Sequence, residues 1–373
     1  MTIRRLLIVP ADALVEREPA HPAAALVSRA LKSAKRRIFG MPSVYNSEIQ
    51  RYGDIPAILG QENTFILGRT YPHLHIAPPP PACPYPSCHA TPAGTIITER
   101  QLEPILPNVD AVLVSVQAGA RGALARASAR RRGIPVAILD ASDHQSIYKA
   151  RNISAELTCG LEAGPDFDLY FKENLPLGYQ TEIVLPLAPA PLRPEVYQFR
   201  ALPKAVDIFY SGKMRGHGQP DGTAVIELIR QNFPAAELVD HKTHGTFLTL
   251  RDYWDGLSAA RLALSPSRFD WDSFRHCESA LAPGTALIAP KPYVETIGPP
   301  LMDGVNAVLY DTEFRDGWFY LKKAQDLVDK IRHYLAHPAE REAMADRWAA
   351  DVLAGHTVRA RSQYILDRMT GII

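Results

Sequence analysis

A chain of 373 residues exceeds the roughly 100–200 typical of one domain, so two compact units with separate cores are expected. Hydrophobic residues at 46% and charged residues at 22% exclude a disordered chain. The near-cancellation of 41 basic by 40 acidic side chains, net +1, leaves no global field to attract nucleic acid or anionic lipid, so any anion site must be local.

The opening run 4–9 is too short for a signal peptide and reads as a first buried β-strand. No stretch approaches the roughly 18 apolar residues that span a bilayer, and Cys83, Cys88, Cys159 and Cys277 are too scattered for a disulfide framework. A cytoplasmic location without a transmembrane segment is the expectation. Residues 22–37 have the apolar spacing of a helix with a basic far face. The segment 71–89 carries Pro78 to Pro81, with His73, His75, Cys83, Cys88 and His89 around them, enough ligands for zinc; because the spacing matches no regular zinc module it is read first as a loop packing on the acceptor side, with a structural metal as the lesser alternative. Runs 111–116 and 136–139 are buried strands separated by a helix over 119–132, which Gly133 and Pro135 terminate. This alternation implies a parallel sheet. Asp143 and His144 follow the strand 136–139, at the edge where open α/β sheets hold ligands; they could orient or deprotonate an acceptor hydroxyl or contact the donor sugar, or equally cap and pack on the next turn. A further strand near 168–171 ends on Lys172, a cleft-facing cation or an ordinary surface charge.

The prolines of 185–194 mark a semi-rigid connection, and the alternation restarts beyond them. Strands are expected at 206–210, 237–240, 261–264 and 286–289, and helices at 223–232, 250–259 and 273–281. Three helices at 324–335, 339–353 and 358–369 form the tail. The expected partition is 1–190, a linker at 191–203, a second domain at 204–345, and C-terminal helices at 346–373.

Two motifs carry chemistry. The strand at 206–210 runs into a loop with Gly212, Gly216 and Gly218, and with Lys213 and Arg215 between them, before a helix. Glycines let backbone amides approach an oxyanion, the helix N-terminus adds partial positive charge, and the two cations can neutralise a diphosphate; an inert surface turn is the alternative. Further on, Asp270 is followed after seven residues by Glu278, then by Gly284 and a buried strand. A carboxylate on a helix behind a strand can accept both hydroxyl hydrogen bonds of a ribose, whereas a solvated carboxylate, or one paired with Arg275, would be merely structural.

The segment 270–289, with the downstream stretch 303–310 that includes Asn306, resembles the C-terminal domain of group 1 glycosyltransferases, especially the spore-maturation-related subgroup. The family usually has glutamate where Asp270 stands. The resemblance implies the GT-B fold, an α/β architecture of two Rossmann-like domains whose parallel sheets face across a cleft. It implies a nucleotide-diphosphate sugar, UDP- or GDP-linked, held by Gly212, Gly216, Asp270, Arg275, Glu278 and Asn306. Lys213 and Arg215 would assist diphosphate departure, without cofactor or metal and with retention of configuration. The acceptor would be a glycan, a lipid-linked species or a small molecule. A nucleotide-sugar epimerase and a non-catalytic nucleotide-sugar-binding protein are the competing readings. One feature common on this fold is missing: where a glycine-rich loop often follows the first strand, this chain has Pro10, Ala11, Asp12 and Ala13.

Overall fold

The computed structural model describes residues 2–11, 49–68, 94–141, 166–187, 194, 197–212, 220–240, 248–267, 271, 273–315 and 318–373. Two compact units emerge: Met1–Leu175 with Tyr179–Leu187 and Val358–Ile373, and Pro176–Gly178 with Ala188–Thr357.

The first unit is built on β1 (Leu6–Val9), β2 (Thr64–Leu67), β3 (Thr95–Ile97), β4 (Ala111–Ser115), β5 (Val136–Asp140), β6 (Leu169–Lys172) and β7 (Val184–Pro186). These pair in the order β3-β2-β1-β4-β5-β6-β7, every pairing parallel. Helices α1 (Ile49–Tyr52), α2 (Ile55–Leu59), α3 (Glu99–Ile105) and α4 (Gly119–Arg131) belong to the same unit. Strand β1 shows why its sequence is apolar throughout: Leu6 and Ile8 enter one core, Leu7 and Val9 the other, so neither face tolerates a polar side chain. Ala125 and Ala129 of α4 fill the core that holds Leu7. The proline-rich stretch does not begin as a linker. Its first residues form β7, and Pro186 ends an edge strand, a place where a missing N–H costs little.

The second unit contains β8 (Val206–Gly212), α5 (Pro220–Asn232), β9 (Glu237–Asp240), α6 (Leu250–Ala259), β10 (Ala260–Leu264), α7 (Phe274–Leu281), β11 (Ala286–Pro290) and β12 (Val308–Tyr310). Its sheet order is β12-β11-β10-β8-β9, again parallel throughout. A hairpin of β13 (Thr312–Arg315) and β14 (Trp318–Leu321) follows. Helices α8 (Ala324–Ala336) and α9 (Pro338–Gly355) then pack within this unit. The three tail helices part company here. The last, α10 (Val358–Thr370), belongs to the first unit, where Ile365, Leu366 and Met369 join Leu6 and Ile8.

No helix among the described residues is long and apolar enough to cross a membrane. The helix expected at 22–37 and the cysteine- and histidine-bearing segment 71–89 lie outside the described residues.

Candidate functional site

Helix α7 starts at Ser273, whose side chain accepts from the Arg275 backbone N–H and so satisfies one of the helix's orphan donors. Its inner face turns Cys277 and Ala280 into the core, and Glu278 lies one residue on, only 9% exposed. Both carboxylate oxygens have neutral donors: the Tyr253 hydroxyl donates to Oε2 at 2.7 Å and the Tyr197 hydroxyl to Oε1 at 3.2 Å. Burial raises the Glu278 carboxyl above its usual range, opposed by the Tyr253 hydrogen bond, the Arg275 charge and the Tyr197 hydrogen bond. An ionised carboxylate offers about four lone-pair directions, so two hydroxyl donors leave about two for a ligand.

Arg275, one turn earlier, sends Nε and Nη2 to the Ser211 carbonyl oxygen at 3.1 and 2.7 Å and lies over the Tyr210 ring, 5.2 Å from its centroid. This ties α7 to the carboxyl end of β8. A Cβ on Gly212 would lie 2.5 Å from the Tyr210 hydroxyl oxygen and 2.9 Å from Arg275 Nη2, which is why that position has no side chain. Gly212, Arg275 and Glu278 are therefore brought together. Gly284 adopts a positive φ of 64°, the left-handed turn that leads from α7 toward β11.

Two buried groups here were not read from the sequence. Asp221, in the first turn of α5, is fully buried and accepts from the Tyr310 hydroxyl at 3.1 Å; burial pushes its carboxyl up to about 6. A Cβ on Gly222 would collide with the Ser267 carbonyl oxygen, so the start of α5 is pressed onto the loop after β10. The signal was an acidic residue next to glycine just behind a glycine-rich loop. His276 is buried edge-on against Trp271, with Nδ1 2.7 Å from Ser265 Oγ, and burial lowers it to about 3. It is a neutral packing group at ordinary pH.

Asn306 is engaged within its own loop and with α9. It is fully buried; its Oδ1 accepts from the Met302 N–H at 2.7 Å, and its Nδ2 donates to the Pro300 carbonyl at 3.0 Å and Asp351 Oδ2 at 2.8 Å. That amide staples its own loop. Lys172 is likewise no surface charge: it is wholly buried, with Nζ 3.6 Å from Asp140 Oδ2. Asp143, His144, Lys213, Arg215, Gly216 and Asp270 lie outside the described residues. Among the described residues no three His, Cys, Asp or Glu side chains are grouped to hold a metal ion.

Residues 208–367 match the model of a family described as glycosyl transferase-like. No curated protein sequence matches the chain. Among solved structures, HepE of Anabaena in complex with UDP and glucose is similar at a TM-score of 0.54 and 11% identity, over 99% of this chain and 100% of that one. Sucrose-phosphate synthase of Thermosynechococcus elongatus is similar at 0.51 and 12%, over 99% of both chains. The fold is GT-B. Within this GT-B chain the family match opens in β8 and closes in α10, so it spans Gly212, Arg275 and Glu278.

Proposed function

We propose that the chain is a glycosyltransferase of the group 1, spore-maturation-related type, which moves a sugar from a nucleotide-diphosphate donor to an acceptor bound by the first unit. The observation that carries the reading is Glu278: a buried carboxylate held at both oxygens by neutral hydroxyls, with lone pairs to spare, inside the glycosyl transferase-like segment. Such a group suits the two hydroxyls of a ribose, because its own hydrogen bonds come from neutral hydroxyls and leave it able to accept from both. Uridine is the proposed base, since HepE was crystallised with UDP.

The donor's diphosphate is assigned to the loop after Gly212. Lys213 and Arg215 stand there in sequence, between the end of β8 and the start of α5. As the bond between the anomeric carbon and the diphosphate oxygen breaks, negative charge grows on the departing group, and a fixed cation favours that transition state over the ground state. Transfer is assigned as metal-independent and retaining.

Calorimetry with UDP tests the nucleotide site. Glu278→Ala should weaken binding by about 1–3 kcal/mol with the fold intact. Unchanged affinity in a folded variant would remove the assignment. Turnover tests the leaving-group role: Lys213→Ala and Arg215→Ala should each lower kcat about a hundredfold, with a smaller effect on donor affinity. Parent activity that a chelator abolishes, together with parent-like kinetics of both variants, would contradict it. Donor consumption with and without acceptors separates transfer from epimerisation and from binding alone.

A further inference from the structure

Glu278 does not hold its orientation unaided. Its two donors come from different elements, Tyr253 from α6 and Tyr197 from the segment that leads into β8. Helix α6 also clamps that segment. Tyr197 and Phe199 stack with ring centroids 5.9 Å apart, and Trp254 lies 5.7 Å from each. Arg251 Nη1 donates to the Gln198 carbonyl at 3.1 Å, and Arg200 pairs with Asp255. Four residues within little more than one turn of α6, Arg251, Tyr253, Trp254 and Asp255, thus serve both the entering segment and the carboxylate, and Thr249 caps the helix by accepting from the Asp252 N–H at 3.1 Å.

We infer that Tyr253 and Tyr197 are positioning residues that keep Glu278 aimed and ionised for the ribose, and that Tyr197 makes nucleotide binding depend on docking of the segment entering the second unit. The inference rests on the ribose role proposed for Glu278. Free glutamate side chains lose rotamer freedom when fixed, so a carboxylate already held by two donors binds its ligand with that loss already met. The donors are neutral, which leaves the negative charge available to ligand hydroxyls. Desolvation and the nearby Glu278 charge push the Tyr253 hydroxyl well above its ordinary range, so it remains a donor at any physiological pH.

The groups acting on the Glu278 charge are Tyr253 from α6, Tyr197 from the entering segment and Arg275 from its own helix. The polar groups that the residue after β10 and helix α9 direct at α7 reach His276 instead: Ser265 bonds its ring, and Trp348 Nε1 donates to its carbonyl at 2.6 Å. Removing a tyrosine hydroxyl withdraws a bond that favours the ionised form, so the pH needed to ionise Glu278 must rise.

The test is UDP calorimetry on the full chain between pH 5 and 9 for the parent, Tyr253→Phe, Tyr197→Phe and Glu278→Ala. Alongside it, a titration of the Glu278 carboxyl by carbon-13 NMR without nucleotide is assigned by its loss in Glu278→Gln. Tyr253→Phe should bind UDP about tenfold more weakly near neutral pH. The pH at which its affinity falls on acidification, and the NMR midpoint, should both move upward. Tyr197→Phe should shift both in the same direction by less, as its longer bond implies. A packing role alone would lower affinity evenly across pH and leave the NMR midpoint in place. Weakened binding in Glu278→Ala with superimposed profiles for both tyrosine variants would overturn the inference and leave the nucleotide site standing. Parent-like UDP binding by Glu278→Ala would overturn both.

Discussion

Asp140 and Glu278 are both carboxylates buried beside parallel sheets, one in each unit, and their surroundings are opposite. Asp140 ends β5, is wholly buried, and accepts the Tyr170 hydroxyl at 2.7 Å with the Lys172 ammonium 3.6 Å away; the adjoining Glu173 pairs with Arg51. Positive and negative groups cancel in place. Among the described residues no cation pairs with Glu278; hydroxyls hold it, the Arg275 charge acts on it without an ion pair, and a small part of it meets solvent. Full burial of a charge requires a countercharge, whereas a carboxylate meant to recognise neutral hydroxyls must keep its charge unspent. The first arrangement builds a core, and the second suits the ligand-binding role proposed for Glu278.

Breaking the first arrangement should have the largest effect. Lys172→Met removes a buried ammonium from beside the buried Asp140 carboxylate and should cost about 3–5 kcal/mol, seen as a lower urea midpoint of the transition that involves the first unit. A variant as stable as the parent would show that the pair is incidental, and the contrast between the units would fail. A smaller effect should come from Asp221, a buried carboxylate with a hydroxyl donor but no described countercharge at hydrogen-bonding distance. Its folded value near 6 lies above the ordinary 3.8, so its contribution is fully present below pH 3.8 and is lost as pH rises through about 6. At about 1.4 kcal/mol per unit, Asp221→Asn should gain about 2–3 kcal/mol over the parent above pH 7, and the gain should vanish toward pH 4. Urea unfolding at pH 4.5 and 7.5 checks this. A gain independent of pH would mean that burial of the charge is not the cause.

Much of the fold was legible because parallel strands buried on both faces leave unbroken apolar runs, as in β1, β4 and β11. Strand β8 runs two residues past the expected end, since Ser211 and Gly212 pair with β9. Strands β2, β3 and β7 escaped detection: they are only three or four residues long, and Pro186 argued against the last. Helix α5 begins at Pro220, three residues before the expected start, because proline is well suited to a first turn. In the site, Glu278 could be found from spacing, since both ends of the motif lie in one segment. Tyr253 and Tyr197 could not. They reach Glu278 from 25 and 81 residues away in sequence, and nothing local marks a tyrosine as a carboxylate's partner. The hydrogen bonds that hold Asn306, to Met302, Pro300 and Asp351, were not legible either, because the last of them comes from 45 residues away in sequence.

The return of α10 to the first unit has a consequence for synthesis. One core of the seven-stranded sheet includes Ile365, Leu366 and Met369, the last of them 363 residues after Leu6 by subtraction of their positions. On the ribosome, strands β1 to β7 must wait with that face incompletely covered until residues 365–369 have been made, although every pairing within the sheet is available once β7 has emerged. The long-range contact that completes this core is thus also the one that leaves the nascent first unit most exposed to association with its neighbours.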